Sequence, residues 1–174
     1  MNKKEIEQIK RTKKSKRNVE DYINYFIFIF PLSIAFIGFI LLLSYFMHNA
    51  ETQSLLISLI MITLGLLFAY FTLKRLNENV TFETIENQSN LNLIELKQQI
   101  QNTFRLNSIF IYEKLGTIEA LTKLTGFSWG ELITIIQDGN TFLVNSRPNG
   151  TNQPVTVYKD RKNIKKIRNI LTQK

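Results

Sequence analysis

Two long apolar runs, separated by a short polar gap, dominate the first half of the chain. Residues 23–47 (INYFIFIFPLSIAFIGFILLLSYFM) and 54–73 (SLLISLIMITLGLLFAYFTL) carry no charge. A helix rises about 1.5 Å per residue, so about 20 residues cross a hydrocarbon core roughly 30 Å thick. Both runs reach that length, and neither has the polar face of an ordinary core helix. The second holds twelve Leu, Ile and Phe residues. At roughly −0.3 to −0.6 kcal/mol each, these favour insertion by about −4 to −7 kcal/mol. A secretory signal has a shorter apolar region and a small-residue cleavage site, whereas the MHNA stretch places His48 there. The pattern predicts a two-helix membrane hairpin over residues 22–75.

Small residues recur inside both runs at helical spacing. Pro31, Ala35, Gly38 and Leu42 share one face of the first helix, and Ser54, Ser58, Met61, Gly65 and Ala69 share one face of the second. Close backbone approach at such stripes lets van der Waals packing hold helices together in lipid. Ala35, Gly38, Ser58, Gly65 and Ala69 are therefore the expected helix–helix contacts, with Ala35 near Gly65.

Outside the hairpin the periodicity changes. Residues 1–21 offer Ile6 and Ile9 among mostly polar side chains, too few for a packed face, and read as a disordered or frayed basic cytosolic segment near anionic headgroups. Residues 76–92 are polar and Asn-rich and read as a linker, although VTFETI has the character of a short strand. Residues 93–174 form an α+β domain: an antiparallel sheet with flanking helices. Asn92 and Glu95 make a capping box for a helix with Leu93, Leu96, Ile100 and Phe104 on one stripe. NSIFIYEK and GTIEALTKL follow as strands paired through a turn at Leu115–Thr117. ELITIIQDGNTFLVNS reads as a hairpin turning at Asp138–Gly139. PVTVYK reads as a further strand with Pro154 at its first position. Asp160 then caps a closing helix whose Ile164, Ile167 and Leu171 share a face.

Charge fixes an orientation. The chain has 22 Lys and Arg against 14 Asp and Glu, a net charge of +8. Lys3, Lys4, Lys10, Arg11, Lys13, Lys14, Lys16 and Arg17 precede the first apolar run, Lys74 and Arg75 follow the second, and only Glu51 is charged between them. Basic flanks stay on the cytoplasmic side, so both termini are expected in the cytoplasm and the gap outside. Heavy use of Ile, Asn and Lys suggests an AT-rich bacterial genome, hence a multi-pass protein of the bacterial inner membrane.

Candidate chemistry is sparse. There is no cysteine, so disulfides and thiolate metal sites are excluded. The only histidine, His48, falls by topology at the external turn, away from the cytosolic domain. No Gly-rich phosphate loop is present, and no metal or cofactor is called for. Glu113, Glu119, Glu131, Asp138 and Asp160 lie on or between expected strands, where a nuclease would place carboxylates for magnesium. A turn and a helix cap account for the last two. Phe127 and Trp129, flanked by Gly126 and Gly130, either anchor a partner or plug one end of the sheet. Arg161, Lys165 and Arg168 form a stripe on the last helix with Lys162 and Lys166 beside it. They suit a membrane or partner contact, or a solvated face.

A two-helix hairpin followed by SWGELITIIQDGNTFLV, PVTVYK and a closing helix resembles small bacterial membrane proteins with a PH-like or YcxB-like cytosolic domain. The resemblance spans residues 22–174 and implies a binding or scaffolding module, with no functional residue carried over. The leading expectation is a non-enzymatic inner-membrane protein. Its partners would be the lipid bilayer and a protein or a further copy of itself, rather than nucleic acid. The alternatives are an immunity or stress protein acting through its hairpin, and a membrane-tethered nuclease or hydrolase.

Overall fold

The computed structural model describes residues 1–48, 52–124, 130–149 and 159–173. The chain divides into two units, residues 19–77 and residues 1–18 with 78–174. The division differs from the expected boundaries, because the basic N-terminal segment and the linker both belong to the sheet-bearing unit.

In the unit of residues 19–77, α2 (Val19–Asn24) leads through a 3-10 turn (Tyr25–Phe28) into α3 (Ile29–His48), and α4 (Thr52–Glu78) follows. The tightened turn lies just before Pro31, whose ring crowds the carbonyl four residues earlier and whose nitrogen has no proton to donate to it. Residues 21–47 and 52–78 are both long and apolar enough to cross a membrane.

The other unit is a five-stranded antiparallel sheet with helices on both faces. Its strands are β1 (Glu83–Glu86), β2 (Leu106–Tyr112), β3 (Thr117–Thr122), β4 (Glu131–Asp138) and β5 (Thr141–Pro148), in the order β1-β5-β4-β3-β2. β2 to β5 form a meander. The fifth strand is β1, from the stretch read as a linker. PVTVYK lies almost wholly outside the described residues.

The β4–β5 hairpin pairs Asp138 with Thr141, so its two-residue loop is Gly139–Asn140, one position beyond the expected turn. Gly139 has φ +60°, a conformation that costs glycine nothing. β2 and β3 are joined by a 3-10 turn, Glu113–Leu115.

On one face lie α5 (Leu93–Thr103) and α6 (Lys159–Thr172). The expected capping box starts α5: Asn92 Oδ1 accepts from Glu95 N at 2.9 Å, and Glu95 Oε2 accepts from Asn92 N at 2.8 Å. Leu96, Ile100, Ile167 and Leu171 from these helices pack with Ile118, Ile133, Ile135, Phe142 and Val144 of the sheet. Asp160 sits buried in the first turn of α6 rather than at its cap, since the helix already includes Lys159.

The opposite face is covered by α1 (Lys3–Thr12). This corrects the expectation of a disordered or frayed segment. Ile6 and Ile9, only 3% and 2% exposed, pack on Phe82, Ile136 and Leu143. Two residues suffice because a full apolar face was never needed: the sheet supplies the larger share of the contact. Asn2 and Glu5 form a second capping box, and Lys10 and Lys13 reach Asp138 at 3.9 and 3.3 Å. Beyond α1, Ser15 N donates to Val80 O and Phe82 N to Lys13 O, both at 2.8 Å. Asn145 Nδ2 donates to Asn79 O and Thr81 O at 3.2 and 2.7 Å. The stretches flanking residues 19–77 are thus paired with each other and tied to β5.

Candidate functional site

The expected basic stripe on α6 is divided by its neighbours. Arg161 bonds Glu78 at 2.8 Å, and Arg168 is ion-paired with Glu83. Lys166 Nζ lies 5.1 Å from the centroid of the Phe104 ring. It also lines a cleft of about 380 Å³ between α5 and α6, with Ser89, Gln99, Thr103 and Asn169. Lys162 and Lys165 are exposed, and neither has an ion pair among the described residues. Three of the five side chains therefore have local roles, and two are left facing solvent. Phe127 and Trp129 lie outside the described residues.

Four of the five small-residue positions come together in pairs, Ala35 with Gly65 and Gly38 with Ser58. Ala35, Ser58 and Ala69 are buried, as are Gly38 and Gly65, whereas Phe36, Ile40, Leu59, Leu66 and Phe68 are exposed. A Cβ on Gly65 would stand 2.5 Å from Ala35 N, and one on Gly38 would stand 2.9 Å from Ser58 O. Backbone atoms cannot give way cheaply, so only glycine fits at these two points. Ser58 Oγ donates to Leu55 O at 2.7 Å, which leaves the buried hydroxyl no cost in unpaired polarity. The exposed surface of α3 and α4 is almost continuously apolar.

The candidate carboxylates are dispersed. Glu131 and Asp138 stand at opposite ends of β4, about 23 Å apart at roughly 3.3 Å per residue. Glu131 is fully buried, Asp138 is paired with Lys10 and Lys13, Glu119 is on β3 and Asp160 is on α6. Among the described residues, no group of three or more His, Cys, Asp or Glu side chains could hold a metal ion.

The feature that sequence reasoning missed is α1 and its seat on the sheet. Its signals were present: the Asn2–Glu5 capping pair and the Ile6, Ile9 spacing repeat the logic that identified α5. No family model, characterised protein or solved structure matches this chain.

Proposed function

We propose that this chain is a non-enzymatic protein of the bacterial inner membrane. Its two apolar helices span the bilayer with both termini in the cytoplasm, and its α+β domain binds a protein partner or the membrane surface. The observation that carries this reading is the contrast within residues 19–77: small residues are buried between α3 and α4, while large apolar side chains face outward. In water that arrangement would expose far more apolar surface than soluble proteins tolerate; in lipid it is the stable one. The dispersal of the acidic residues supports a binding role over hydrolysis, and the resemblance to membrane proteins with PH-like domains points the same way.

The close helix packing favours a second reading, in which the hairpin itself recognises a membrane-acting toxin or channel. Affinity capture from detergent extracts separates the two, using the full chain and a chain ending at Asn77. A partner held by the full chain alone supports the domain as the binding module. A partner held equally by both chains moves the function to the hairpin. A chain that alkaline carbonate strips from membranes is not an integral protein, and both readings fail.

A further inference from the structure

The two edges of the sheet are built differently. β1 is four residues long and carries Glu83 and Glu86, the charged and short form that discourages further pairing. β2 has seven residues, Leu-Asn-Ser-Ile-Phe-Ile-Tyr, with no charge and no proline. Among the described residues it pairs only with β3. Phe110 and Tyr112 are 57% and 43% exposed on the α1 side of the sheet. Ile109 and Ile111 are half-buried on the other side, at the margin of the core under α5. A long uncharged edge with open main-chain donors and acceptors invites another strand.

We propose that β2 is a homodimer seam, at which two copies of this chain pair antiparallel about Phe110 to give a ten-stranded sheet. Ser108–Tyr112 pair with β3 in unbroken register, and the shift between Leu106 and Ser108 lies just outside that stretch. Pairing about Phe110 uses only the unbroken part. It sets Phe110 against Phe110 of the second copy, Ile109 against Ile111, and small Ser108 against large Tyr112. The apolar margin at Ile109 and Ile111 then continues from one core into the other.

Charge selects a second copy as the occupant. Beside the shifted end of β2 is an open groove of about 410 Å³ lined by Arg105 and Lys123 together with Phe104, Asn107 and Gln101. Antiparallel pairing brings the turn that begins at Glu113 of the second copy alongside this groove. Neither Arg105 nor Glu113 has an ion pair among the described residues. Lys114, the next residue, lines a different groove with Lys3, Lys10 and Gly116 beside α1, so it is turned away from the seam. The two-fold symmetry makes each contact twice.

The chain has no cysteine of its own, so single cysteines report the register in the full-length protein in its membrane. Phe110→Cys should give a disulfide dimer on mild oxidation, because directly opposed strand residues fall within disulfide reach. Ser108→Cys should not, since the two Ser108 positions would be offset by four residues, about 13 Å. Ser108→Cys mixed with Tyr112→Cys should cross-link. Arg105→Glu should reduce the Phe110→Cys dimer, and adding Glu113→Arg should restore it. Absence of the Phe110→Cys dimer, equal cross-linking at 108 and 110, or failure of the charge exchange to restore the dimer would each overturn the proposal. Contact through the membrane helices alone would give no such dependence on register.

Discussion

At the scale of single residues, the account rests on places where one side chain decides whether two elements can approach. Gly65 meets the backbone of Ala35. Gly65→Ile should therefore separate α3 from α4, whereas Ile57→Leu, on the exposed side, should change nothing. Unfolding of the full chain in detergent checks this: a midpoint lowered by Gly65→Ile alone is expected, and equal midpoints for the two variants would mean the helices do not pack there. Ile9 plays the corresponding part on the sheet. Ile9→Ala removes a buried side chain between α1 and Leu143 and should cost about 2–5 kcal/mol in denaturant unfolding of the sheet-bearing unit. Lys162 and Lys165 have no ion pair among the described residues, so Lys162→Gln and Lys165→Gln should stay within about 0.5 kcal/mol of the parent.

At the scale of elements, α1 is the test of the sheet's second face. Deleting residues 1–12 uncovers Ile136 and Leu143, so the unit should unfold at lower denaturant and bind an apolar dye. An unchanged midpoint would mean that α1 contributes no stability. The need for such a layer was legible: Phe142–Val144 is a continuous apolar run and Ile136 follows Ile135 directly, so both strands break strict alternation and offer apolar side chains to both sides of the sheet. What the sequence could not reveal was which segment provides the cover, because Ile6 and Ile9 alone look too sparse. The burial belongs mostly to the sheet. The edge strand was obscured for a similar reason. Glu83–Glu86 is short and acidic and lies among Asn-rich residues, and only its pairing with β5 gives it structure. By contrast, the capping box at Asn92 and the β4–β5 hairpin depend on neighbours a few residues apart, and local chemistry was enough to find them. The basic stripe on α6 was visible as a pattern, but the partners Glu78 and Glu83 of its arginines are too distant in sequence for periodicity to suggest.

At the scale of the whole molecule, the two units bury opposite kinds of side chain. Among the described residues, those of 19–77 bury small side chains and expose most of their large apolar ones, while the remaining unit buries most of its large apolar side chains and exposes most of its charge. That inversion is what the hydropathy pattern predicts for a membrane hairpin joined to a water-soluble domain. The basic residues flank the hairpin on its two outer ends, which sets the expected orientation. Cysteines at Asn49, in the gap, and at Asn149, in the domain, test it in one experiment, with an impermeant thiol reagent applied from outside to cells whose inner membrane is intact. The account predicts labelling at Asn49 alone, with Asn149 reacting only after the membrane is permeabilised; equal labelling of both before permeabilisation, or labelling of Asn149 alone, would contradict it.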